Sequence, residues 1–107
     1  MSVTGRLGAL LVANKDRIME VVRSRGGVEV YVFGSAVRGE GGGGSDLDLL
    51  VLFEEDASLF EQVHLKGDLE EMLGCNVDVL SLNGLRQALD GKGQYRREMI
   101  LREAIPL

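Results

Sequence analysis

The sequence predicts a small α/β domain. Short runs rich in β-branched and aromatic residues alternate with longer segments of helical periodicity, and glycines stand at the joints between them. The second short run opens on two acids, Asp46 and Asp48, and then turns apolar through Leu49, Leu50 and Val51. A strand that begins in charge and ends in hydrocarbon has one end at a working surface and the other in a core.

Taken in order, the first element is an amphipathic helix over residues 4–25. Leu7, Leu10, Leu11, Ile18, Val21 and Val22 recur at helical spacing, with Asn14, Lys15, Arg17, Arg23 and Arg25 between them. Gly26-Gly27 ends it. Residues 28–33 form a strand with Val28, Val30 and Val32 on one face and Glu29, Tyr31 and Phe33 on the other. A helical turn over residues 35–38 and a glycine-rich loop over residues 39–45 lead into the second strand, residues 46–53. A second helix spans residues 57–73. Its apolar stripe is Leu59, Phe60, Val63, Leu69, Met72 and Leu73, Gly67 is its weak point, Asp56 or Ser58 caps its start, and Gly74 stops it. Residues 75–80 form a third strand, residues 83–90 a short helix or turn, and residues 95–105 a last helix stopped by Pro106. Neither a repeat nor a linker divides the 107 residues, so residues 1–107 read as one domain.

Composition narrows the function. A net charge of −5 argues against broad electrostatic binding of DNA or RNA. A single cysteine, Cys75, permits no internal disulfide and reads as a small apolar residue; it fits a reducing compartment. No apolar run is long enough for a membrane span or a signal peptide, and the expected location is the cytoplasm.

The chemistry gathers at two strand ends. On a strand, residues two apart share a face, so Asp46 and Asp48 point the same way. Two like charges so close repel, and a divalent cation removes the cost. Oxygen-only ligands on a rigid edge suit Mg2+, which takes one or two carboxylates and completes its shell with phosphate oxygens and water. Upstream, Gly34-Ser35 follows an apolar strand, where a tight turn exposes backbone N–H groups to phosphate. Arg38 stands just beyond, either as a guanidinium for triphosphate oxygens or as a solvated surface residue. Asp78 is a lone acid between Val77 and Val79 and faces opposite to both. If its strand pairs beside the second one, it joins Asp46 and Asp48; otherwise it sits on an edge strand facing water.

Two glycine patterns are decoys. Residues 39–44 match G-x-G-x-x-G formally but open into a strand rather than a helix. Gly91-Lys92 lacks the glycine before and the Ser/Thr after that a P-loop needs. His64, alone within the second helix, is given no role.

Gly34-Ser35, ten residues, then Asp46-Leu47-Asp48 resembles the GS-x10-D-x-D signature of the polymerase-β-like nucleotidyltransferase superfamily. The flanking residues 33–40 and 45–51 look like its minimal nucleotidyltransferase (MNT) branch, and Asp78 resembles its third acid. Residues 97–104 resemble the tail of that branch more loosely. The run Gly41 to Gly44 departs from the more varied loops of many relatives. The resemblance implies a small mixed β-sheet with helices packed on one side. It implies transfer of AMP from ATP to a hydroxyl with release of pyrophosphate. Gly34, Ser35 and Arg38 are then the nucleotide-binding residues. Asp46, Asp48 and Asp78 are the catalytic acids and the ligands of Mg2+, two ions in all, with Asp78 taking the acceptor proton. MNT proteins of this size resemble antitoxins paired with a HEPN-domain ribonuclease toxin, and the implied acceptor is a tyrosine of that toxin. Two alternatives stand beside this reading: a non-catalytic antitoxin that neutralises its partner by binding, and a small-molecule nucleotidyltransferase of the aminoglycoside type.

Overall fold

The computed structural model describes residues 5–34, 47–86 and 98–107. The element order is α1 (Gly5–Ala13), α2 (Lys15–Ser24), β1 (Gly27–Phe33), β2 (Leu47–Phe53), α3 (Leu59–Leu73), β3 (Val77–Ser81), α4 (Leu82–Arg86) and β4 (Ile105–Pro106), with residues 98–103 also helical. The four strands form one mixed sheet in the order β3-β2-β1-β4. β1 runs antiparallel to β2 and to β4, and β2 runs parallel to β3. A parallel neighbour needs a crossover, and α3 supplies it.

Alternation along β2 organises the core. Leu47, Leu49 and Val51 are fully buried, and with Val30, Val32, Val77 and Val79 they face Leu11, Ile18, Val22, Leu65 and Leu69 of the three longer helices. Each fully buried leucine contributes roughly 2–3 kcal/mol by removing its hydrocarbon from water. The even-numbered side reads Asp48, Leu50, Leu52. There Leu50 and Phe33 join a smaller cluster with Leu82 and Ile100. The three long helices thus pack on one side of the sheet, as expected, while α4 and residues 98–103 cover part of the other.

Four local expectations are corrected. The single N-terminal helix is two. Asn14 leaves the helical region (φ −115°, ψ 12°), and both its backbone N–H and its Nδ2 donate to the Leu10 carbonyl, at 3.1 and 2.8 Å, closing α1 before α2 begins. Val28 leaves the core face and is 47% exposed, because the β1–β2 register slips between Gly27 and Glu29. Gly27 is buried where a Cβ would run into Val22. In α3 the buried residues are Leu65 and Leu69, while Leu59, Phe60 and Val63 face solvent. Finally, the last helix stops at residue 103. Ile105 and Pro106 pair with Val32 and Tyr31 as strand β4.

The stops behave as their residues dictate. Gly26 (φ 82°) turns the chain after α2, and Gly74 (φ 70°) closes α3 with its N–H on the Glu70 carbonyl. Ser58 takes the N-cap position of α3 without a side-chain hydrogen bond. At the far end of β2, Asn83 imitates a strand. Its Oδ1 accepts from the Phe53 N–H at 2.9 Å and its Nδ2 donates to the Phe53 carbonyl at 3.0 Å.

Candidate functional site

β2 is a central strand, with β1 on one side and β3 on the other. In the register Asp48 lies between Phe33 of β1 and Asp78 of β3. Neighbouring strands stand about 4.8 Å apart, and residues paired in register present side chains to the same face. The two acids therefore stand side by side at the head of a parallel pair. β3 is an edge strand, and the Asp78 side chain is 56% exposed. Both alternatives weighed for Asp78 are thus partly realised: it faces water from an edge, and it adjoins Asp48.

Gly34 ends β1 on the Phe33 side of Asp48. Its φ is +76°, a conformation L side chains rarely adopt, and a Cβ there would collide with the Asp48 carboxylate, Oδ2 first. The turn out of β1 thus needs glycine twice over. It packs backbone directly against one carboxylate.

From the other side α3 holds β3. Gln62, Lys66 and Glu70 are spaced one turn apart, so they share a helix face. Gln62 Nε2 donates to the Val79 carbonyl at 2.9 Å, and Lys66 Nζ donates to the Val77 carbonyl at 2.6 Å. Glu70 Oε2 accepts from the Val77 N–H at 3.1 Å and from Lys66 Nζ at 3.0 Å. Lys66 Nζ also lies 3.9 Å from Asp78 Oδ1. The Val77 N–H, and next to it Lys66, holds the Glu70 carboxyl below its ordinary value. Three side chains thereby fix the height of β3, and with it Asp78 against Asp48. These three residues were missed in the sequence. Their only signal was a polar i, i+4, i+8 series running into the strand that carries the third acid.

Gly34, Asp48 and Asp78 are brought together. Ser35, Arg38 and Asp46 lie outside the described residues, as do the helical turn after Gly34 and the glycine loop. Among the described residues no group of three acids, histidines or cysteines gathers as a metal cage. Two adjacent carboxylates at a strand end nonetheless fit Mg2+, which takes few protein ligands and relies on phosphate oxygens and water for the rest. His64 is exposed on α3, and Cys75 is partly buried against the main core. Among the described residues no helix is long and apolar enough to cross a membrane.

A mixed sheet with paired acids at one end of a parallel strand pair, and a glycine turn packed on one of them, is the arrangement expected of a nucleotidyltransferase. Residues 15–107 match the family described as the nucleotidyltransferase domain, and the chain belongs to that family. It is similar to the protein adenylyltransferase MntA of Thermococcus cleftensis, 42% identical over 76% of this chain and 79% of that protein. A solved minimal nucleotidyltransferase superposes with a TM-score of 0.73, at 43% identity over 92% of this chain and 94% of that one. The MNT antitoxin complex with the tri-AMPylated HEPN toxin of Shewanella oneidensis shares the fold, with a TM-score of 0.62 at 20% identity over 89% of this chain and 69% of that one. The chain is therefore a nucleotidyltransferase with the minimal nucleotidyltransferase fold.

Proposed function

We propose that this nucleotidyltransferase moves AMP from ATP onto a tyrosine hydroxyl of a HEPN-type ribonuclease toxin and so acts as its antitoxin. The observation that carries the reading is the register of Asp48 with Asp78, with Gly34 packed against Asp48. Two relatives support the rest. The Thermococcus protein is named a protein adenylyltransferase, and the Shewanella toxin stands AMPylated in complex with its MNT antitoxin.

In this reaction the acceptor oxygen bonds to the α-phosphorus as the bond to the bridging oxygen breaks. Pyrophosphate leaves with the electron pair, and the acceptor proton passes to the Asp78 carboxylate. Gly34 and Ser35 receive the triphosphate with backbone N–H groups, and Arg38 adds charge. Asp46, Asp48 and Asp78 would hold Mg2+, two ions in this reading, and the metal would supply neutralisation of the charge that develops on the phosphate. The protein's own part is positioning. Lys66, anchored to Val77, helps set the height at which Asp78 meets the acceptor.

Intact mass of a co-expressed HEPN protein tests this. Wild-type protein is expected to add AMP-sized mass, and Asp48→Asn with Asp78→Asn to add none. An unmodified but silenced toxin with the wild type would establish the binding-only alternative instead.

A further inference from the structure

Leu59, Phe60 and Val63 are 81%, 74% and 66% exposed on one surface of α3. Residues at i, i+1 and i+4 on a helix make one strip, and Gly67 extends it by a turn. A glycine inside a helix costs about 1 kcal/mol against alanine. Among the described residues a Cβ at Gly67 would meet nothing within 4 Å, so no contact with them requires it. What a bare backbone there permits is close approach by something outside the chain.

Charge says what that is. Glu54, Glu55 and Asp56 are exposed immediately before α3, and Glu71 is exposed beyond Gly67. Glu54 and Glu55 line the same depression as Leu59, whose apolar wall includes Phe53 and Leu80. A second copy laid along this strip would bring these acids against its own, and like charges across an interface oppose association. A helix with an apolar contact face and Lys or Arg on its flanks satisfies both the strip and its acidic ends.

We infer that the exposed face of α3 docks a basic-flanked amphipathic helix of the acceptor protein, an inference that rests on the reading that the acceptor is a protein. The strip from Leu59 to Gly67 runs about 12 Å at 1.5 Å per residue and passes beside Lys66 on the same helix. Grip and the positioning of Asp78 thus use adjoining faces of one helix.

Calorimetric titration of each HEPN-domain protein from the same genome onto the purified chain tests it. Phe60→Asp with Val63→Ser, and separately Glu54→Lys with Glu55→Lys, are each expected to weaken the complex at least about tenfold. The acid-reversed pair also loses most of the salt dependence seen with the wild type. Both variants are expected to keep the wild-type circular dichroism and affinity for Mg·ATP, since the altered side chains face solvent. Binding within about twofold of wild type in both overturns the dock, as does failure of wild type to bind any HEPN protein. A chain that dimerises in sedimentation until Phe60→Asp is introduced assigns the strip to a second copy and overturns it too. A HEPN protein that binds through Phe60 yet never gains AMP leaves the dock standing and refutes the proposed reaction. Equal AMP transfer at equal KM by wild type and variants does the reverse.

Discussion

Replacing Gly34 by alanine separates what the backbone needs from what the acids need. The left-handed conformation costs an L residue roughly 1–2 kcal/mol. For a domain of this size about 1 kcal/mol moves Tm by about 4–8 °C. Gly74 is the matched control. It has nearly the same φ, +70° against +76°, but a Cβ there meets nothing within 4 Å among the described residues, whereas at Gly34 it meets the Asp48 carboxylate. Both Gly74→Ala and Gly34→Ala are therefore expected to melt several degrees lower. Only Gly34→Ala is expected to move Asp48 out of register with Asp78, and so to lose Mg·ATP affinity and AMP transfer by about a hundredfold or more, an effect of roughly 2.7 kcal/mol. Thermal melts, Mg·ATP titration and a radiolabelled AMP-transfer assay on the two variants read these terms separately. If Gly34→Ala stays folded and transfers AMP within about threefold of Gly74→Ala, the contact between turn and carboxylate is not what orders the site.

Other outcomes follow from the same coordinates. The Glu70 carboxyl titrates below its ordinary value because the Val77 N–H and Lys66 stabilise its charged form. A depressed carboxyl contributes stability above its unfolded pKa and loses it as pH falls through the folded value. The Tm gap between wild type and Glu70→Gln should therefore be widest near neutrality and close on acidification below about pH 4, as scanning calorimetry across pH would show. A gap that widens on acidification would contradict the assignment. Asn83→Ala removes both hydrogen bonds to Phe53 and is expected to cost about 1–3 kcal/mol in urea unfolding, at unchanged m-value. Lys66→Met breaks the anchor at Val77 and is expected to lower kcat more than the KM for ATP, with Lys66→Arg recovering part of the loss.

Much of this architecture was legible in period-two patterning. Leu47, Leu49 and Val51 had to be buried because they alternate with the acids, and they are. A lone Asp78 between two valines had to leave the core face, and the parallel register sets it beside Asp48. What escaped were contacts that periodicity does not encode. The break at Asn14 depends on one residue closing a helix with its own backbone and side-chain amide on a single carbonyl. The exposure of Val28 depends on a slipped register that only the neighbouring strand imposes. Leu59, Phe60 and Val63 read as core because hydrophobicity was taken for burial; the sheet accepts Leu69, as expected, and Leu65, which the stripe left out. Ile105 reads as helical until β1 offers its free edge. Of the predicted site residues, Gly34, Asp48 and Asp78 are assembled, while Ser35, Arg38 and Asp46 stand outside the described residues.

The side chains of α3 along β3 also decide how this molecule meets others. An open sheet normally offers two ladders of unused peptide groups, an invitation to amyloid-like stacking or to strand donation by a foreign chain. Here Gln62, Lys66 and Glu70 occupy peptide groups of Val77 and Val79 at one border. The opposite border is a two-residue strand containing Pro106, which has no N–H to give. Such borders give a second copy few peptide groups on which to template a strand. The chain's assemblies must be made through side chains and helices, where sequence, rather than the common grammar of the peptide bond, chooses the partner.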